Sequence, residues 1–384
     1  MVAIQLLAHF VCAAFLSFLA NWSGLIPWRN STSAHWTERA RLLWPVRFTA
    51  GLNIFLLPSI LNLVQALLLP SIPHWWIADL VAAFLGAVFG CFPGDREVFP
   101  QLDFRNWWHQ AIAGWGIRFG IWGLLLLGCA LMPEDFSWGM LAVAGGYLLV
   151  HFAMQFGLIM KYLRMVKFLT PAENRLLEIV NSTAARMGVS VLGAWQLGGS
   201  MANAFAFPTT RELVFSTRLL EICSDEEISA ICAHELAHLK EGKSVLLGRL
   251  LGSLSLFPLI FINPSIHQFG MPGILLPYLG FFLIAKFARW LSQRMEKRAD
   301  QLALNEQVQE GVYARALEKL YRENKIPAVN VNDKQTHPHL YDRMVAAGIT
   351  PDYPRPTKPK RLTVLGWIYV FSIGCFFALL VSRG

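Results

Sequence analysis

Apolar runs long enough to cross a bilayer dominate the first part of the chain. They cover Val2 to Ala20, Phe48 to Leu69, Trp75 to Phe92, Ala111 to Met132 and Trp138 to Met160. A long polar stretch from Arg164 to Lys243 follows. Two further apolar runs, Ser244 to Ile262 and Phe269 to Phe287, separate it from a second polar block, Trp290 to Arg361. An eighth run spans Leu362 to Val381. The first run has no basic start, so it reads as a retained span, with a cleaved signal as the alternative. Within the polar stretch, Thr170 to Met187 has the spacing of an amphipathic helix with Pro171 in its first turn. Val189 to Leu197, Met201 to Phe207 and Glu212 to Ser216 read as short strands.

The connections between runs alternate in charge. Asn21 to Arg47 carries four arginines, and Lys161, Arg164 and Lys167 follow the fifth run. Pro70 to His74, Pro133 to Ser137 and Asn263 to Gln268 carry neither Lys nor Arg, and the last of these reads as an outer turn. Basic loops mark the cytoplasmic side, so five spans starting outside deliver the polar stretch to the cytoplasm. The expected organisation is a membrane region of about five spans over 1–163 and the first part of a polar domain over 164–243. Two spans over 244–287, the second part of that domain over 288–350, a Pro-rich basic tether over 351–361 and a last span over 362–384 follow. The fold class is therefore mainly α, a polytopic membrane protein of about eight transmembrane helices carrying a cytoplasmic α+β domain. His9, Asn53, Asn62, Gln65, Arg118, His151 and Gln155 fall inside the runs, where polar groups need partners.

Composition agrees: 55% of the 384 residues are hydrophobic and only 15% charged, too apolar for an average soluble domain. The net charge of +8 fits basic cytoplasmic loops better than a nucleic-acid surface, and no nucleotide-binding signature is present. The six scattered cysteines form no Cys-x-x-Cys pair and suggest neither a disulfide framework nor a cysteine metal site.

The chemistry sits at Ser224 to Lys243. Ser224 and Glu227 have capping-box spacing, and Asp225, Glu226 and Glu227 complement the helix dipole. On that helix His234 and His238 are one turn apart, able to bind one metal ion, with Glu235 placed to act as a base on a metal-activated water. The plainer alternative is an amphipathic helix with surface histidines. A third ligand is needed. Glu296, four residues before Asp300 on one helix face, is the candidate, and Asp300 can orient a ligating histidine through its outer nitrogen. Arg294, Lys297 and Arg298 also allow a solvated helix end there. His337 and Arg343 are suitable donors to an oxyanion, or ordinary loop and helix-surface residues. Asn203, Ala204, Phe205 and Ala206 suit an edge strand that binds an extended peptide, or a packed strand with a turn asparagine.

Taken together, Asn203-Ala-Phe-Ala206, His234-Glu-Leu-Ala-His238, Glu296-Lys-Arg-Ala-Asp300 and Thr336-His337-Pro338 with Arg343 resemble the integral-membrane zinc metalloendopeptidases. This is the family of the bacterial heat-shock protease HtpX and the eukaryotic CAAX prenyl protease. The resemblance runs from about Thr170 to Ala347. It implies a gluzincin domain with one Zn²⁺ per chain held by His234, His238 and Glu296. It also implies Asp300 behind the ligands and His337 and Arg343 at the oxyanion. Gln293 and Met295 stand where the family often has arginines. Five spans before the zinc helix look more like the CAAX protease layout than the four-span HtpX layout. The expected partners are a protein or peptide substrate and the lipid bilayer, with no nucleic acid and no nucleotide cofactor. The expected setting is a bacterial inner membrane. The readings left open are a quality-control or processing endopeptidase, a CAAX-type processing enzyme working in an intramembrane chamber, and a non-proteolytic zinc-binding scaffold or transporter.

Overall fold

The computed structural model describes residues 2–68, 75–332 and 338–372, and leaves out the side chains of 115–119. His337, the connection Pro70 to His74, the side chain of Arg118 and most of the eighth apolar run therefore lie outside the described residues. Helical backbone is present over 364–372. Six helical segments among the described residues are long and apolar enough to cross a membrane: Val2–Arg29, Trp36–Leu68, Trp76–Val98, Trp138–Met165, Lys243–Phe269 and Met271–Glu306. They contain six of the eight apolar runs. The fourth run lies in a continuous helix, Phe104–Leu131.

The chain divides into two compact units. The first comprises Met1–Phe104, Tyr321–Asn332 and Asp352–Gly384. Its helices Val2–Gly24 and Trp76–Phe89 approach closely because Gly86 and Gly90 carry no side chain. A Cβ on Gly86 would lie 2.1 Å from the carbonyl oxygen of Phe10, and one on Gly90 2.3 Å from that of Ala14. The spacing is the Gly-x-x-x-Gly device of membrane helix pairs. Within this unit Asp79 accepts a hydrogen bond from Gln5 Nε2 at 2.8 Å, and His9 lies 3.7 Å from its other oxygen.

The second unit comprises Arg105–Leu320 and Asp333–Pro351. Its membrane helix from Trp138 kinks at Phe156–Gly157, where Gly157 takes a φ of 107° that side chains disfavour. His151 on this helix meets the hydroxyl of Ser253 at 2.8 Å, an inter-helix hydrogen bond between two apolar segments. The four-stranded sheet has the order β1 (Leu169–Pro171), β2 (Gly193–Leu197), β4 (Glu212–Ser216), β3 (Ala204–Phe207). β2 and β4 are parallel and the outer pairings antiparallel, so β3 is an edge strand.

Four local expectations change. Thr170 and Pro171 belong to β1 and not to a helix, which starts at Asn174. Pro171 opposes Trp195 at the sheet edge, a place where a missing N–H is tolerated. The strand expected from Val189 starts at Gly193, because Val189 donates back to Ala184 and closes the preceding helix at Gly188, whose φ is 63°. The strand expected from Met201 starts at Ala204. The connection Asn263 to Gln268, expected as a turn, lies within a short helix, Ile262–Phe269, with Pro264 near its start and Gly270 after it.

Each face of the sheet has its own core. Leu213 and Phe215 of β4 and Ala204 of β3 pack with Leu176, Ile228, Leu236, Ala303 and Leu320. On the opposite face Val214 packs with Ala113, Met160, Leu163 and Leu169, which joins the sheet to the ends of two apolar helices.

Candidate metal centre

The helix Asp225–Leu239 carries the motif, and its start forms as the sequence suggests. Ser224 Oγ accepts from the Glu227 amide at 3.4 Å while Glu227 Oε2 accepts from the Ser224 amide at 2.9 Å. Lys319 adds an ion pair to Glu227 at 2.7 Å. Twelve of the fifteen helix residues are buried, including His234, Glu235 and His238. The alternative of a surface helix with exposed histidines is therefore removed. Buried imidazoles need polar partners, and the structure supplies them.

Glu296 comes from the long helix Leu275–Glu306, which packs along the motif helix and is buried at that point. His234 Nε2 is 3.4 Å from Glu296 Oε2, and His238 Nε2 is 3.6 Å from Glu296 Oε1. One donor atom from each of the three residues lies within 4.8 Å of the others. Donors held about 2.0–2.1 Å from a common centre at tetrahedral angles stand about 3.3 Å apart, so two imidazoles and a carboxylate in this arrangement fit a zinc ion. The solvated helix end that Arg294, Lys297 and Arg298 allowed does not describe Glu296 or Met295, both of which are buried.

Behind the ligands lies a hydrogen-bonded layer. Asp300 Oδ1 is 3.1 Å from His234 Nδ1. Tyr313, on the helix Val312–Glu323, donates its hydroxyl proton to Asp300 Oδ1 at 2.7 Å, and its oxygen lies 2.7 Å from His234 Nδ1. With that proton directed at Asp300, Nδ1 of His234 is the donor, and Nε2, facing Glu296, is the nitrogen left to hold a metal. The phenol ring also stacks on His234 at 5.9 Å. Arg343 donates from Nε to Asp300 Oδ2 at 2.9 Å, and from Nη2 to Asp300 Oδ1 at 2.5 Å and to Tyr313 at 2.8 Å. Nε and Nη2 of Arg343, a residue expected at an oxyanion, bind the layer behind the ligands.

The charges follow from these contacts. Burial opposes an imidazolium at His234, but hydrogen bonds to Asp300 and Glu296 outweigh it and lift the group to about 9. Burial also opposes the Asp300 carboxylate, yet His234 and Arg343 hold it down at about 2. Burial pushes the Tyr313 phenol well above its ordinary range, so it remains a donor.

Tyr313 was not singled out in the sequence. Its signal is a tyrosine on the apolar face of an amphipathic helix, which on its own denotes a core residue. Arg249 was also passed over. Its charge interacts with those of Glu296, Glu235 and Glu241. Just before β3, Asn203 Oδ1 accepts from the amide of Ala204 at 2.9 Å, and on the strand Phe205 is exposed while Ala204 is buried.

A helical chain with six bilayer-length apolar segments and a buried His-His-Glu group has the organisation of a membrane metallopeptidase. Comparison with known proteins gives the same class. Residues 171–348 match peptidase family M48. The protease HtpX of Histophilus somni is 30% identical over 145 residues, which is 33% of this chain and 50% of that protein. The protease HtpX of Pasteurella multocida is 27% identical over 206 residues, 45% of this chain and 71% of that protein. The chain thus spans about half the length of the first curated relatives it matches. The crystal structure of S. mikatae Ste24p superposes with a TM-score of 0.51 over 90% of this chain and 98% of that chain, at 17% identity, a likeness of fold. The resemblance seen in the sequence, to membrane zinc metallopeptidases of the HtpX and CAAX protease family, is supported by all three.

Proposed function

We infer that the chain is a zinc-dependent membrane endopeptidase that hydrolyses peptide bonds of membrane or membrane-associated proteins, in quality control or processing. The observation that carries this reading is the convergence of His234, His238 and Glu296 within 4.8 Å beside Glu235 on the motif helix. His234, His238 and Glu296 hold the metal. When bound, zinc acidifies a water and polarises a carbonyl.

Glu235 accepts the proton of the attacking water and returns it to the leaving amine. Asp300 and Tyr313 fix the tautomer and ring orientation of His234, and Arg343 fixes Asp300. His337 and Arg343 are the proposed donors to the oxyanion of the tetrahedral species. The free edge of β3, with Asn203, Ala204, Phe205 and Ala206, aligns the substrate as an added strand. The alternation of basic loops supports a cytoplasmic position for this domain, and the proposed setting is a bacterial inner membrane.

The test is metal content and casein cleavage by the purified full chain, before and after chelation, beside Glu296→Ala. The reading expects one zinc per chain, cleavage lost on chelation and restored by zinc, and at most weak zinc binding in Glu296→Ala. Full zinc occupancy in Glu296→Ala would overturn the ligand set. Cleavage that survives complete chelation would overturn the metallopeptidase reading.

A further inference from the structure

A cavity of about 360 Å³ opens beside β3, on the sheet face opposite the motif helix. Its size lies within the range of small-molecule and side-chain pockets. Phe205 and Phe207 line it from the edge strand, Asn203 from the residue before it, and Ile159, Leu163 and Gly114 from the ends of the apolar helices. Ala204 and Ala206, the intervening strand residues, pack on the other face, in the core around the motif helix. β3 therefore separates the catalytic helix from an apolar chamber, and its outer edge carries no strand partner among the described residues.

Strand geometry gives this arrangement a consequence. A peptide that pairs with the free edge of β3 continues the sheet, and its side chains alternate between the two faces. Every second side chain then lies on the face of Phe205 and Phe207, the face that borders the cavity. The walls are aliphatic and aromatic, with Asn203 and Gln110 as polar lining residues. A charged side chain there would lose hydration without a compensating ion pair, whereas a large apolar one gains from burial.

We propose that this cavity is a specificity pocket that takes one large aliphatic or aromatic side chain of the substrate strand bound along β3. The occupant is the substrate and not a bilayer lipid, because alternate residues of the edge strand line the cavity. The proposal rests on the endopeptidase reading above. It adds the class of residue the enzyme selects at a fixed distance from the cleaved bond.

Gly114 gives a direct probe, because a Cβ built on it meets no atom within 4 Å. Gly114→Phe places a ring in the cavity, and as a glycine replacement within a helix it does not cost helix propensity. The experiment uses internally quenched peptides that carry Ala, Leu, Phe or Asp at each position flanking the cleaved bond. They are presented to the full chain in detergent, with zinc content measured for every preparation. The wild type is expected to favour Leu or Phe over Ala at one position by about tenfold or more in kcat/KM, and to reject Asp there. In Gly114→Phe that ratio collapses to about one. In Leu163→Ala, which enlarges the cavity, it shifts toward Phe over Leu.

An unchanged ratio in a zinc-replete Gly114→Phe, with cleavage intact, overturns the pocket and leaves the endopeptidase standing. A co-purified lipid, seen by mass spectrometry in the wild type and lost from a Gly114→Phe whose ratio is unchanged, assigns the cavity to lipid and also overturns it. Zinc-loaded wild type that cleaves no peptide in the set and no casein overturns the endopeptidase reading itself. Should Gly114→Phe lack zinc, the Leu163→Ala ratio decides.

Discussion

The hydroxyl oxygen of Tyr313 lies 2.7 Å from Nδ1 of His234, and its proton is given to Asp300 at 2.7 Å. One phenol thus joins the outer nitrogen of the His234 imidazole to the carboxylate behind it. Groups in this position hold a ligand's tautomer, and removing them commonly lowers metal affinity by about 10–100-fold. Tyr313→Phe keeps the ring that stacks on His234 and removes only the hydroxyl. It is expected to bind zinc about tenfold more weakly or worse in a chelator competition, with helix content unchanged. Wild-type affinity in this variant would show that Asp300 alone orients His234.

The pair of Arg343 and Asp300 is 8% and 14% exposed. Breaking a buried ion pair from one side leaves the other charge desolvated, at a cost of about 3–5 kcal/mol. Arg343→Ala should therefore lower the thermal midpoint in detergent markedly. Arg343→Lys should recover only part of the loss, because an ammonium cannot reproduce the two-pronged contact. Equal midpoints for wild type and Arg343→Ala would contradict the pairing.

The pH dependence has a definite sign. Asp300 is held at about 2 against an ordinary 3.8, so its stabilisation is complete above 3.8 and is lost as pH falls toward 2. His234 is raised from 6.5 to about 9. In metal-free protein its contribution is complete below 6.5 and is lost as pH rises through 9. Zinc binding must displace that proton. Calorimetry in buffers of different ionisation enthalpy near pH 7.5 should show about one proton released from His234 per zinc bound. Asp300→Asn should reduce the release. A buffer-independent heat would contradict the protonated His234.

In the first unit, a side chain at Gly86 would meet the backbone of Phe10 at 2.1 Å, a contact that only helix separation relieves. Overpacking of this kind costs about 1–3 kcal/mol or more. Gly86→Leu is expected to destabilise the detergent-solubilised chain and Gly86→Ala to do so less. An unaltered thermal midpoint in both would contradict the close approach.

The sequence was most informative where residue chemistry and spacing act locally. The capping box of Ser224 and Glu227, the shared face of His234 and His238, and the four-residue step from Glu296 to Asp300 are all properties of single helices. The apolar runs were legible because a bilayer demands length and the near absence of charge. What was missed depends on distant pairing. Pro171 looked like a helix start until β2 claimed it as an edge partner. Tyr313 joins the metal layer only because its helix packs beside the motif helix, 79 residues away in sequence. The Gly86–Gly90 pair was not singled out, because its role depends on Phe10 and Ala14 lying opposite.

The most direct test of the central claim is the role of Glu235. Zinc content and peptide cleavage are measured for the full-length wild type and Glu235→Gln, purified side by side. Gln fits the same space and cannot accept the water's proton. The expected result is one zinc per chain in both and turnover in the wild type alone, with a loss of about 10²-fold or more. Appreciable cleavage by a zinc-loaded Glu235→Gln would contradict Glu235 as the base.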